Sequence, residues 1–407
     1  MRVLMLGWEF PPIYSGGLGT ACYGLTKGLS HHGVNVTFVM PTGPSNLQGE
    51  YVKLLVADKL MKNKFIKIKK IESLLIPYLT SKAYEEQIRI ERKNDSSGTS
   101  KLYGSNLFDE VYRYKKRVEL LALTEEFDII HAHDWMTYQA GVAAKKVSGK
   151  PLVLHIHATE FDRTGGNNLN QYVYDIERMG FHNADKIMAV SNYTKGMVVK
   201  HYGVSPDKVE VVHNAVEFKE GPAANYEIKK DDKIVLFLSR ITLQKGPEYF
   251  LQAAKKVLEL DPTVKFIFVG NGDMEAQMIE LTAELGIAKN VLFAGFMTGD
   301  DVSRAYQMAD IYVMPSVSEP FGITPLEAMR SGTPVILSKQ SGVSEVVNHV
   351  LKVDFWDIDD IASKMLAILH YKSLYHELRL HGSLEVKKFN WDIPAGKCLD
   401  VYKGVLS

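Results

Sequence analysis

Glu319 and Glu327 stand in the stretch SEPFGITPLEAMRSGTPVI with seven residues between them. Two carboxylates so close in sequence could form an acid/base pair flanking a bond to be cleaved. They could equally be two grips on one polar ligand. Thr324, Pro325, Leu326 and Glu327 spell a capping box with proline at the first helical position. Gly332 then ends the helix, and Pro334 precedes the next strand. These signals place Glu327 on a helix start and Glu319 on the loop before it. The backbone amides of Gly322, Ile323 and Thr324 at that start would form an anion site. A phosphate bound there is repelled by Glu327 unless its carboxylate points sideways, toward hydroxyls beside the phosphate.

Three other groups could do chemistry. SGGLG (Ser15–Gly19) brings glycines to a strand-to-helix turn, where N–H groups can approach an anion; a plain tight turn fits equally well. It is not G-x-G-x-x-G, and no P-loop pattern occurs, which argues against NAD and P-loop readings. HAHDW (His131–Trp135) and HIHATEFDRTGGNN (His155–Asn168) each follow a run that reads as a strand. Their bland reading is satisfied structural histidine. Metal ligation by His131, His133, Asp134, His155 and His157 is disfavoured, because strand alternation disperses side chains and no H-E-x-x-H or Cys/His spacing is present. No metal is expected. SRITLQKG (Ser239–Gly246) offers Arg240 as a planar fork and Lys245 as a compact charge, a pair suited to a diphosphate. Two exposed basic loop residues are the alternative. GNG (Gly270–Gly272) is a further strand-end turn. DID (Asp357–Asp359) opens a helix with acids in its first turn and is rejected as a metal motif.

The elements that position these residues are legible as short apolar runs. RVLMLGW, NVTFVMP, FDIIHAH, PLVLHIHA and KIMAVS lie in the first half; KIVLFLSR, KFIFVGNG, NVLFAGF, IYVMPS and TPVILSK lie in the second. Such Val/Ile/Leu runs, each followed by helix-period sequence, indicate parallel sheets covered on both faces. Two sets imply two doubly wound domains, with ligands outside the carboxyl ends of the strands. The polar stretch from Phe218 to Asp232 is the linker candidate. The terminal helix in FNWDIPAGKCLDVYKGVLS could finish the second domain or return to the first; periodicity does not choose.

Bulk properties bound the function. A chain of 407 residues exceeds one ordinary core, and zero formal net charge gives no global pull toward nucleic acid. Two cysteines, Cys22 and Cys398, do not make a disulfide framework. The opening MRVLMLGWEFPP reads as a buried strand rather than a signal peptide, so the N-x-T sequons at Asn35 and Asn192 are taken as chance and a cytoplasmic location is expected. No apolar run approaches about 18 residues, so no transmembrane helix is expected. The lysine-rich run Lys59–Lys70 reads as a solvated edge strand in preference to a lipid-binding patch. Glu91–Lys101 reads as a loop.

Taken together, these motifs resemble the GT-B retaining glycosyltransferases of the glycogen/starch synthase-like group. The carriers are GWEFPPIYSGGLGT, HAHDW, HIHA, SRITLQKG, GNG and the E-x7-E segment, which follows MPS and includes GTPVI. The resemblance implies two Rossmann-like domains facing a central cleft. Residues 1–218 form the acceptor-side domain, completed by a C-terminal helix (390–407) crossing back after the Phe389–Trp391 pair. Residues 219–389 bind the nucleotide sugar. It also implies roles. Gly16 and Gly17 approach the donor diphosphate and sugar, with Gly270 and Gly272 at a donor-side turn. Arg240 and Lys245 neutralise the diphosphate. The segment Phe321, Gly322, Ile323 and Thr324 binds phosphate. Glu327 holds ribose hydroxyls and Glu319 the sugar ring. His157 sits near the reacting centre with Asp134 close by, and Phe296 lies against the base. The sequence IYSGGL lacks the lysine of glycogen synthases proper, often K-T-G-G-L, which weakens a claim for ADP-glucose.

The expected activity is transfer of a hexosyl group, glucosyl first, from a UDP- or ADP-hexose to a hydroxyl of an α-glucan or small sugar, with retention and without a cofactor or metal. A nucleotide-sugar epimerase, a transferase acting on a lipid acceptor, and a non-catalytic glucan-binding module are the alternatives. The sequence shows no clear oligomerisation patch.

Overall fold

The computed structural model describes residues 1–11, 16–41, 52–56, 107–166, 168–217 and 232–407. The lysine-rich run, the Glu91–Lys101 stretch and all of the linker candidate except Asp232 lie outside the described residues. The chain divides into two compact units. One comprises Met1–Arg163, Asn168–Ala215 and Trp391–Ser407; the other comprises Thr164–Asn167 and Val216–Asn390.

The first unit is built on seven described strands: β1 (Arg2–Leu6), β2 (Asn35–Met40), β3 (Lys53–Val56), β4 (Ile129–His133), β5 (Leu152–Ile156), β6 (Lys186–Ala189) and β7 (Val209–Val211). All pair in parallel, in the order β3-β2-β1-β4-β5-β6-β7. The apolar runs of β4 and β5 are buried along their whole length, as sequence of this type requires when helices cover both faces. The helices are α1 (Gly17–His31), α2 (Leu107–Leu121), α3 (Trp135–Ser148), α4 (Glu160–Thr164), α5 (Gln171–Asn183) and α6 (Asn192–Tyr202). Leu4, Leu6, Ile130, Ala132, Leu154 and Ile156 form one sheet face of the main core.

The second unit carries β8 (Ile234–Leu238), β9 (Lys265–Val269), β10 (Val291–Phe293), β11 (Ile311–Met314), β12 (Val335–Ser338) and β13 (Leu351–Val353). They pair in parallel in the order β10-β9-β8-β11-β12-β13. Its helices are α7 (Pro247–Leu260), α8 (Glu275–Glu284), α9 (Asp300–Met308), α10 (Thr324–Arg330), α11 (Ile358–His370) and α12 (Lys372–Glu385). Val235, Phe237, Phe250, Phe266, Phe268 and Val313 anchor its core.

The last helix, α13 (Asp392–Leu406), belongs to the first unit and packs on α1. Small residues make this contact. A Cβ on Gly24 would lie 2.1 Å from the Trp391 ring, and one on Gly28 would lie 2.5 Å from the Trp391 carbonyl. His31 Nδ1 meets Asp392 Oδ1 at 2.8 Å beside it. The question that periodicity left open is settled by this glycine seat: the helix returns to the first unit.

Candidate active site

In each sheet the strand order reverses once, between β1 and β4 and between β8 and β11. Such a switch point opens a crevice at the carboxyl ends of the strands. The candidate residues follow these strands.

In the second unit, Arg240 and Lys245 follow β8, and Glu319 to Thr324 follow β11. Lys245 Nζ donates to Glu319 Oε2 at 2.5 Å, with 13% and 10% of the two side chains exposed. Arg240 Nη2 donates to Gln244 Oε1 at 3.2 Å. Glu319 is fixed from both sides: its N–H donates to the Gln340 carbonyl, and its own carbonyl accepts from Gly342. Gly322 (φ +96°) turns the chain tightly against the Glu319 side chain; a Cβ there would stand 3.1 Å from Glu319 Cγ. Gly246 (φ +66°) allows the Lys245 turn to approach the Pro315 carbonyl, which a Cβ would meet at 2.1 Å.

Helix α10 corrects the capping-box expectation. Its N-cap is Ile323, and no side chain among the described residues caps it. Glu327 instead accepts a hydrogen bond from the Tyr306 hydroxyl at 3.1 Å. Burial pushes the Glu327 carboxyl up from its ordinary range, against the opposing pull of Arg330 and of that hydroxyl. Tyr312 donates to Thr324 Oγ1 at 2.8 Å. The carboxylate is thus engaged by Tyr306 on α9, a partner that the local motif does not announce.

In the first unit, Asp134 is fully buried and has φ 58° and ψ 167°, a region that suits glycine. Its Oδ1 accepts from the His157 amide at 2.7 Å and from the Ala158 amide at 3.4 Å. The strained residue therefore fixes the loop that carries His157. His133 Nδ1 lies 2.9 Å from His157 Nε2. Burial, and then the neighbouring His131, lower the His157 pKa to about 3, so the imidazole is neutral at ordinary pH. Behind the loop, Arg163 bonds Glu160, Glu177 and the Ala158 carbonyl, all in the interior.

Residues 15–220 match Glycosyltransferase Family 4, just over half of the chain. The chain belongs to Glycosyltransferase Family 4. Residues 220–382 of this glycosyltransferase match Glycosyl transferases group 1. It is 29% identical to an uncharacterised glycosyltransferase of Methanocaldococcus jannaschii, over 99% of this chain and 98% of the other. It is 24% identical to a glycogen synthase of Mycobacterium tuberculosis, over 85% of this chain and 80% of that one. Sucrose-phosphate synthase from Thermosynechococcus elongatus shares its fold, with a TM-score of 0.76 at 18% identity and coverage of 99% and 98%. The expected GT-B fold is the fold observed.

Other candidate positions in the glycosyltransferase have specific local roles. Gly270 and Gly272 allow the turn after β9 to touch the β8 loop: a Cβ would stand 2.0 Å from the Ser239 carbonyl and 2.2 Å from the Ile241 carbonyl. Phe321 is buried, whereas Phe296 is 67% exposed on the loop whose Gly295 carbonyl accepts from Gly270. Gly16 and Gly17 are exposed at the start of α1.

The sequence reading missed Glu9. It is buried, and its Oε2 accepts from the amides of Gly16 and Gly19, each at 3.1 Å. A Cβ on Gly16 would lie 2.8 Å from that oxygen. An internal carboxylate thus takes up part of the helix start that the glycine turn offers to anions. Its signal was an acid inside the apolar opening GWEFPP. Strand alternation also fails to disperse the histidines. His131 and His133 are two residues apart on β4 and share a face, and His133 is paired in register with His155 on β5.

Proposed function

We propose that this glycosyltransferase transfers a hexosyl group, glucosyl first, from a UDP- or ADP-hexose to a carbohydrate hydroxyl, with retention at the sugar carbon. The observation that carries the reading is the Lys245–Glu319 contact at the β8/β11 switch point, which joins a phosphate-seeking cation to a sugar-seeking carboxylate. The glycogen synthase relationship supports glucose as the first donor sugar to test.

In this reading Arg240 and Lys245 bind the diphosphate and stabilise the charge that grows on it as the glycosidic bond breaks. This is the task of donors aimed at a developing anion. The Gly322–Thr324 backbone adds amide donors, Glu327 holds the ribose and Glu319 the hexose. Phe296 offers its exposed ring to the base. Gly17 lets the donor approach, while Gly16 is kept small by Glu9. His157 contributes as a neutral hydrogen-bonding group, and Asp134 acts through it by fixing its loop. Retaining hydrolases place two carboxylates roughly 5 Å apart across the bond. Here Glu319 is engaged by Lys245 and Glu327 by Tyr306. The reading is therefore front-side attack by the acceptor, with no covalent glycosyl-enzyme; a transfer step without a metal ion is a separate part of the proposal.

Purified protein should be incubated with labelled UDP-, ADP- and GDP-hexoses, with and without linear glucans and small sugars, and the product anomer assigned by NMR. An acceptor-dependent product with the donor's anomeric configuration is expected. Arg240→Ala should lower turnover about 100- to 1,000-fold, the usual effect of losing one such donor. Conversion of the donor alone would point to an epimerase. Transfer only to lipid in vesicles would point to a membrane acceptor. Absence of a thermal shift with UDP, ADP and GDP would point to a glucan-binding module. A glycosyl adduct trapped on Glu319 would overturn front-side attack.

A further inference from the structure

We propose that His131, His133 and His155 form a binding site for one borderline transition-metal ion, with Zn²⁺ the first candidate, inside the first unit.

The three side chains each offer a ring nitrogen, and these atoms lie within 4.8 Å of one another. All three residues are essentially inaccessible, with at most 1% exposure. In two of the three rings one nitrogen is already engaged. His131 Nδ1 meets the Tyr402 hydroxyl at 2.5 Å, and His133 Nδ1 meets His157 Nε2 at 2.9 Å. Among the described residues, His131 Nε2 and His133 Nε2 lack a hydrogen-bond partner, as do both ring nitrogens of His155. Interiors leave few polar atoms in this condition. Metal-binding histidines commonly present one nitrogen to the ion and hold the other with a hydrogen-bond partner, which is the pattern at His131 and His133 though not at His155.

The donor set selects the ion. Three imidazoles without a carboxylate suit zinc, copper or nickel, whereas Mg²⁺ and Ca²⁺ require oxygen. Metal–nitrogen bonds of about 2.0–2.1 Å need the nitrogens drawn closer together by ring rotation. A fourth position would take water or a further side chain. The bound ion would tie β4 to β5 and, through Tyr402, to α13. It would also hold His133, the partner of His157. None of the three ligands is itself a proposed donor-binding residue, although His133 contacts His157, and the metal test does not depend on transferase activity.

The full chain should be prepared with an affinity tag free of histidine, refolded with Zn²⁺ or Co²⁺, dialysed, and analysed for metal by mass spectrometry. About one ion per chain is expected. The Co²⁺ form should show visible absorption bands of a low-coordinate nitrogen site. His131→Gln and His155→Gln should each lose the ion while retaining the circular dichroism of the parent. Metal content that stays far below one equivalent, or that is unchanged in both variants, would overturn the proposal. Should the variants not fold, X-ray absorption of the parent zinc form decides: a shell of three imidazole nitrogens supports the site, and an oxygen or sulfur shell refutes it.

Discussion

The proposed function gives Lys245 two tasks, and they can be separated. Its ammonium touches Glu319 at 2.5 Å, with only about a tenth of either side chain open to water. Lys245→Ala therefore does more than remove the proposed phosphate ligand. It leaves Glu319 without its cation while the Glu319 backbone stays locked to Gln340 and Gly342. Truncating one partner of a buried ion pair costs about 3–5 kcal/mol. Residual water access argues for the lower end, about 3 kcal/mol. Lys245→Ala should lower unfolding free energy by that amount and turnover by about 100-fold or more. Adding Glu319→Gln removes the orphaned charge, so the double variant should regain about 2 kcal/mol through non-additivity. Turnover should not return, because the diphosphate still lacks its cation. Urea unfolding and initial rates on the four proteins of the cycle give both quantities. Full stability in Lys245→Ala would refute the pairing argument. Recovered turnover in the double variant would refute the donor-binding role and leave Lys245 a purely structural partner.

The α1/α13 seat predicts that Gly24→Val loses more than about 3 kcal/mol, since overpacking by a few atoms already costs about 1–3 kcal/mol and the first added carbon would overlap Trp391; a thermal melt checks it, with Gly404→Ala in α13, where a Cβ meets no described atom within 4 Å, as a control expected to gain up to about 1 kcal/mol. At Asp134 the glycine-like backbone should make Asp134→Gly about 1–3 kcal/mol more stable than Asp134→Ala, although both should lose transfer activity; equal stability of the two would remove the strain argument. Asp261 is held down to about 2 by Lys233 first and Thr263 second. A depressed carboxyl pKa stabilises the folded state above the unfolded value and loses that contribution as pH falls from about 4 toward 2. Discounted for the partly exposed Lys233, the effect of Asp261→Asn should be about 1 kcal/mol at pH 6 and should vanish near pH 2, as read from urea midpoints.

The fold was legible because parallel strands buried on both faces must be written as continuous apolar runs, and both sheets are. The candidate positions were legible for a related reason: open α/β sheets bind ligands beyond the ends of their strands, and Arg240, Lys245, Asp134 and Glu319 stand in such positions. What stayed hidden depends on contacts between distant parts of the chain. The Thr324–Glu327 motif satisfies a local capping rule, yet the Tyr306 hydroxyl takes the carboxylate instead. A capping box adds modest local stability, and a buried tyrosine hydroxyl that needs an acceptor outweighs it. Nothing in the sequence around either residue announces that competition.

The histidines show the same limit more sharply. His131 and His133 lie on β4 and His155 on β5, and only the register of β4 on β5 makes them one cluster. A slip of one residue would send either strand's histidines to the opposite face. Register is set here by the apolar residues between them: Ala132 and Ile156 face the main core, so the flanking histidines face the other side. The hydrophobic pattern thus fixes where the polar residues go, although it carries no sign of what they do there. That is why the same stretch supports two separate questions, the role of His157 in transfer and the ligand of the histidines behind it, and why metal analysis and activity assays can answer them independently.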